Sequence, residues 1–144
     1  MYECVICREA DGIGTPLAFR DDLVAVFPAR WQPAGHRCYA FVVTRFHAKT
    51  LYDLDNEVIA HVMSRVRDVA RAVQHAAGAD GTTLMQNNNP PGQEIDHVHF
   101  HVVPRFVGDD YWAASADAEV DAHDREQQAN ELRSALAELG IASH

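Results

Sequence analysis

The sequence predicts an antiparallel α+β fold: a sheet of about five strands, one main helix and a C-terminal helix. Three observations carry that expectation. Short apolar, β-branched runs are separated by turn residues. Two longer stretches follow a helical period, one internal and one near the C-terminus. The strands come in neighbouring pairs and do not alternate with helices, which argues against a parallel βαβ sheet. A chain of 144 residues matches a single domain over 1–144, long enough to bury roughly two-thirds of its unfolded surface.

Residues 4–14 are expected as a turn or metal-knuckle segment. Residues 17–20 and 23–27 form a hairpin about Asp21-Asp22. Pro28, Pro33 and Gly35 make 28–35 a loop. Residues 38–43 are a continuous apolar run and so a buried strand, with Cys38 in the core. The main helix spans 53–77, because Val58, Val62, Val66, Val69 and Val73 recur at helical spacing. Asp53 and Asp55 suit its first turn, and Gly78 suits the position after its end. Residues 82–86 form a strand, 87–92 a loop and 95–104 a strand. A second helix covers 121–139 and closes at Gly140.

Apolar residues make up 47% and charged residues 23%, close to a globular average. Twelve Lys and Arg against 21 Asp and Glu give a formal charge of −9. A body this acidic repels nucleic-acid backbones and anionic membranes at long range, so neither is an expected partner. A small anionic substrate must be held by local groups: backbone N–H, imidazoles and a few arginines. The start Met1-Tyr2-Glu3-Cys4 lacks the basic and apolar segments of a secretory leader. No apolar run approaches the ~20 residues of a membrane span. The expectation is a cytoplasmic protein with reduced cysteines.

The run His97-Val98-His99-Phe100-His101 stands out. On a strand, alternate residues share a face, so the three imidazoles would line up roughly 6.5–7 Å apart with Val98, Phe100 and Val102 facing the core. Such a row is a poor core and a good site. It could present a nucleophile or hold a metal with all three rings; single histidines of this kind are also found satisfied in cores. Cys4 and Cys7 form a C-x-x-C pair, a spacing shared by metal and redox sites. Asp96 should point away from the histidines. Trp31 and Trp112 are candidates to stack a base, and residues 109–112 should form a loop near the site. His36, His61, His75, His123 and His144 show no partner pattern and are expected on the surface.

The segment from Gly92-Gln93 through His97-Val98-His99-Phe100-His101-Val102-Val103 resembles the signature of the histidine triad (HIT) family. The likeness extends to Pro33-Ala34-Gly35-His36, the strand after it, and Thr44-Arg45-Phe46-His47. It implies a two-step displacement: His99 attacks the α-phosphorus of a nucleotide-type substrate, forming a covalent nucleotidyl-imidazole that water then releases. A backbone carbonyl at Nδ1 would fix the tautomer and free Nε2. His101 would stabilise the phosphoryl oxygens, and Gln93 would donate to the phosphate or bridging group. Gln86 falls where family hydrolases of dinucleoside polyphosphates carry a catalytic glutamine. Gln86 and Asn87 are thus expected at the substrate, with Arg30 placed to meet a phosphate.

The resemblance also implies a structural zinc held by Cys4, Cys7, His47 and His97, a closed Cys2His2 set, which moves His97 out of catalysis. It further implies a homodimer. The chain departs from the family at Pro28, where an acidic residue or Asn usually binds the ribose hydroxyls. Asp22 or Gln32 could take that role. Two other functions compete: a nucleotide- or metal-binding module without turnover, and a metallohydrolase whose histidine strand holds a catalytic metal.

Overall fold

The computed structural model describes residues 3–113, 117–141 and 143; Met1, Tyr2 and His144 lie outside them. In chain order the elements are α1 (Val5–Ala10), β1 (Phe19–Arg20), β2 (Val24–Pro28), β3 (Trp31–Gln32), β4 (Ala40–Thr44), α2 (Asn56–Ala77), β5 (Gly81–Gln86), β6 (His99–Arg105), β7 (Ala118–Glu119) and α3 (Ala122–Glu138). Single 3-10 turns occur at Leu51–Asp53 and Tyr111–Ala113. The expected α+β architecture is present: β1-β2-β4-β6-β5 form one antiparallel sheet of five strands. No described helix is long and apolar enough to cross a membrane.

The alternation of side chains assigns the two faces. Val26, Val42 and Phe100 are cross-strand partners on one face. That face is covered by α2 and α3 through Val62, Val66, Val69, Val73, Leu132 and Leu136, all buried. Each such side chain contributes about 1.5–3 kcal/mol by leaving water. On the other face Val43 pairs with His99, and Phe41 pairs with His101. There α1 covers Ala25, Phe27 and Val43 with Ile6 and Ala10. The short α1 therefore shields only part of this face, and a cleft remains beside it.

Helix ends follow local chemistry. Asp55 caps α2 by accepting from Val58 N at 2.9 Å, and Gly78 ends it in a left-handed conformation, φ 63°. Asp121 caps α3 through Asp124 N at 2.8 Å. The main helix starts at Asn56, three residues later than the valine period suggests, because Asp53 instead accepts from Thr50 N (3.0 Å) and closes the 3-10 turn.

Four further boundaries differ from expectation. Residues 5–10 are a helix, not a knuckle alone. Cys38 is buried as expected, but its φ of 76° places it in a turn, and β4 begins at Ala40. Within the expected loop 28–35, Pro28 ends β2 and Trp31–Gln32 pair with Ala118–Glu119 in a separate two-stranded ribbon. The triad strand begins at His99, not Ile95. Its approach is tied up locally: His97 N donates to Ile95 O (2.8 Å), and Val98 N to Ala48 O (2.8 Å).

The β1–β2 hairpin turns on Asp21, which is 3% exposed. Its carboxylate accepts from Leu23 N and Val24 N (2.9 Å each), His61 Nε2 (2.7 Å) and Arg65 Nε (2.8 Å). Burial alone would push this carboxyl up; the bonds from Val24, Arg65, Leu23 and His61 outweigh it and hold it at about 2, below its ordinary 3.8. A depressed folded-state value means stability present above pH ~4 and lost as pH falls through 2. Asp21→Ala should therefore cost about 1–3 kcal/mol at pH 7, and the gap in melting temperature to wild type should close as the pH approaches 2. A gap independent of pH would contradict this assignment.

Candidate functional site

His99 and His101 project from β6 into the cleft, their rings 5.0 Å apart. Nδ1–H of His99 donates to the His97 carbonyl at 2.7 Å. That bond fixes the tautomer, so the Nε2 lone pair is free. His101 is held differently. Its Nδ1 meets the Tyr39 hydroxyl at 2.7 Å. Burial, and then the neighbouring His99, push the His101 imidazole down to about 4, so it is neutral at pH 7. Tyr39 is buried, and burial and Tyr111 push its phenol up, so its hydroxyl stays protonated. A hydroxyl donating to Nδ1 would place the His101 proton on Nε2. The Phe41 ring lies beneath both histidines, 4.9 Å from His101 and 5.7 Å from His99.

The cleft encloses about 480 Å³, a volume suited to a small organic ligand. Phe27, Tyr39 and Phe41 line its sheet side, Val5 and Glu9 come from α1, and Arg30, Trp31 and Asp117 come from the ribbon region. Asn87, Gly92, Glu94 and Ile95 complete the far rim. A β-carbon at Gly92 would lie 2.8 Å from Asn87 Oδ1, so glycine there leaves Asn87 its place. A larger groove, about 740 Å³, lies between the C-terminal ends of α2 and α3. It holds only His75 as a potential nucleophile, exposed and paired with Glu138.

A second cluster adjoins the triad. Cys4, Cys7, His47 and His97 bring one ligand atom each within 4.8 Å of one another. His97 Nδ1 lies 3.5 Å from Cys4 Sγ and 3.4 Å from Cys7 Sγ, and His47 Nδ1 lies 3.3 Å from Cys7 Sγ. A tetrahedral zinc with ordinary Zn–S and Zn–N bonds separates its sulfur and nitrogen ligands by about 3.6 Å. His97 is fully buried, and its Nε2–H donates to the Thr44 carbonyl at 2.8 Å. Nδ1 is left as an acceptor aimed at the thiols, the second-sphere arrangement that ligating histidines require. The residues fit a closed structural metal set.

The structure thus gathers His99, His101, Arg30 and Asn87 at the cleft and all four cluster residues at one point. It does not bring Gln93 or Gln86 to the cleft lining. Gln93 is buried: Nε2 donates to Lys49 O (2.6 Å) and Ile95 O (3.0 Å), and Oε1 accepts from Asn89 N (2.7 Å). Gln86 is locked to Asn88 through paired amides at 2.7 and 2.8 Å. Arg30 pairs with Glu119 at 2.8 Å.

Pro28, expected in a loop, is instead buried at the end of β2, and its side chain has no hydrogen-bonding group to offer a ribose. Neither alternative replaces it. Asp22 is in the β1–β2 turn and does not line the cleft, and Gln32 is engaged with Ala29 O and Gln128 (2.9 and 2.7 Å). Asp96 is exposed, outside the strand. Trp31 lines the cleft, whereas Trp112 does not. His36 is buried, not on the surface, between Asp109 (3.2 Å) and the Tyr111 ring (5.2 Å). His61 is half-buried against Asp21; His75 and His123 are exposed. Tyr39 and Glu9 were not anticipated. Tyr39 stands two residues before Phe41, so period-2 alternation could have found it; nothing local marks Glu9.

The HIT domain model matches residues 15–108. Adenylylsulfatase HINT3 of Arabidopsis thaliana is 29% identical over 115 residues, 79% of this chain, and the match spans 58% of that protein's length. Adenosine 5'-monophosphoramidase HNT1 of Saccharomyces cerevisiae is 31% identical over 68 residues, 46% of this chain and 40% of that protein. The crystal structure of a zinc-bound histidine triad family protein from Mycobacterium smegmatis superposes with a TM-score of 0.80, at 28% identity, covering 96% of each chain.

Metal removal tests the Cys/His cluster. Purified protein should carry one divalent metal per chain by elemental analysis. Cys7→Ser should lose it and be destabilised by on the order of 4 kcal/mol, the scale of a lost structural metal. A wild-type protein that is metal-free and as stable as Cys7→Ser would remove the cluster's role.

Proposed function

The chain belongs to the histidine triad (HIT) family, and on that premise we propose that it is a nucleotide hydrolase or nucleotidyltransferase acting at the α-phosphorus through a covalent nucleotidyl-histidine. One observation carries the reading: the His99 Nδ1–H bond to the His97 carbonyl, which leaves Nε2 as the nitrogen that can attack from the cleft. The relatives named adenylylsulfatase and adenosine 5'-monophosphoramidase support the substrate class.

In the first step Nε2 of His99 forms a bond to phosphorus, and the bond from phosphorus to the leaving group breaks. The leaving group departs with that electron pair and takes a proton from solvent. Nδ1–H stays on the His97 carbonyl, whose dipole stabilises the charge the ring acquires. Nε2–H of His101 donates to a phosphoryl oxygen, held in that tautomer by Tyr39. In the second step water attacks phosphorus and releases its proton to solvent. The P–N bond breaks, and the imidazole is neutral again. Gln93 acts as a positioning residue: it ties Lys49, Asn89 and Ile95 together and so shapes the rim. Cys4, Cys7, His47 and His97 would hold a structural zinc, which cross-links the N-terminal segment to the triad and supplies no reacting atom.

Charge separates the two candidate leaving groups. Glu9, Glu94 and Asp117 line the cleft against one arginine, Arg30. Such a wall disfavours a polyphosphate chain and favours a phosphoramidate with a single negative charge. The competing reading, nucleotide binding without turnover, draws on Pro28 and on the engaged amides of Gln86 and Gln93.

Kinetics discriminate these readings. The wild type should cleave an adenosine phosphoramidate with higher kcat/KM than a diadenosine polyphosphate, and His99→Ala should lower kcat by at least about 10³-fold. If neither compound is cleaved while nucleoside monophosphate binds, the binding-module reading replaces this one.

A further inference from the structure

The wall of the cleft formed by α1 and the end of β2 carries a carboxylate that the proposed chemistry does not use. Val5 and Glu9 are four residues apart on α1 and so share a helix face, and both line the cleft with Phe27, Arg30 and Trp31. The half-exposed Trp31 indole offers flat apolar surface on which a base can stack, backed by the buried Phe27. Glu9 sits at the edge of that surface. Its Oε1 accepts from the Thr15 hydroxyl at 3.2 Å, which fixes the carboxyl group. Among the described residues no guanidinium is within ion-pair distance of it, although Arg125 and Arg30 are near enough to act on it electrostatically. Burial pushes the carboxyl up, and Thr15, Arg125 and Arg30 oppose that. Arg125 is itself only 6% exposed, bonded to the Pro28 carbonyl at 3.1 Å, with Nε lacking a partner among the described residues. A half-buried carboxylate without an ion pair is costly unless a ligand supplies donors.

We propose that Glu9 and Arg30 read a guanine base, so that the site prefers guanosine 5'-phosphoryl compounds over their adenosine counterparts. The inference rests on the nucleotide reading above and deepens it. A carboxylate only accepts hydrogen bonds. Guanine N1–H and N2–H2 present two parallel donors that match its two oxygens. The same edge of adenine has an acceptor at N1, which the carboxylate repels, and uracil offers one donor between two acceptors. Guanine O6 and N7 are the acceptors that an arginine meets best. Glu119 accepts from Nε and Nη2 of Arg30, and Nη1 has no partner among the described residues.

Calorimetric titration of the full chain with GMP and with AMP tests this, with melting curves to confirm that Glu9→Gln is folded. Wild type should bind GMP at least about tenfold more tightly, the discrimination expected of one bidentate base contact. Glu9→Gln, which replaces one acceptor by a donor, should bring the two within about threefold. Equal binding by wild type, or an equal loss for both nucleotides in Glu9→Gln, would overturn the proposal; the second result would place Glu9 at the shared ribose. Guanosine and adenosine phosphoramidates, assayed in parallel, keep the two readings apart. A GMP preference without cleavage of either compound supports base reading and rejects turnover.

Discussion

Residue 97 is the constraint on which the rest of the site depends. Its ring and its backbone serve two different assemblies. The ring is fully buried, with Nε2–H on the Thr44 carbonyl of β4 and Nδ1 against the sulfurs of Cys4 and Cys7. The carbonyl of the same residue takes Nδ1–H of His99. An imidazole with no access to water must satisfy both nitrogens within the protein, and leaving one unpaired costs about 1–3 kcal/mol. The thiols and Thr44 therefore fix the ring, the ring fixes the backbone approaching β6, and that backbone selects the tautomer of His99. A metal between Cys4, Cys7, His47 and His97 would stiffen the first link of this chain without touching phosphorus.

The electrostatics of the cleft follow from the same burial. His101 is kept neutral by its surroundings, and the Tyr39 hydroxyl, 2.7 Å from its Nδ1, gives it a partner without adding charge. Phe27, Phe41 and Tyr39 pack into an aromatic floor at the base of the site, with ring centroids 5.9 and 5.7 Å apart. Against that neutral floor, carboxylates at the rim set which ligands enter. In a chain of charge −9, such a rim suits the proposed substrate best when it carries little charge, because its attraction must come locally, from the His101 ring.

Much of the architecture was legible in the residues. The valine period of α2, the β-branched runs of β2 and β4, and the capping residues Asp55, Asp121 and Gly78 are local signals, and each element formed where they stand. The three histidines and the C-x-x-C pair marked the site because repetitive spacing on a strand, or within one turn, constrains where side chains go. Three kinds of feature were not legible. Six-residue α1 and the two-residue strands β3 and β7 are too short for any period; they exist because tertiary contacts at Ile6 and Ala10, and at Arg30–Glu119, hold them. The amides of Gln86 and Gln93 could equally have faced a ligand, and only the folded loop shows them engaged with Asn88, Lys49 and Ile95. His36 is buried by Asp109 and Tyr111, more than seventy positions away in the chain, a pairing no local pattern announces.

The covalent role proposed for His99 is tested most directly by rapid quenching during turnover. Protein mixed with a nucleoside phosphoramidate and stopped at alkaline pH, which preserves a P–N bond, is digested and sequenced by mass spectrometry. The expected result is one added nucleoside monophosphate per chain, attached to His99 through Nε2. An adduct on His101 or His97, or rapid turnover with no adduct at any time point, would contradict it.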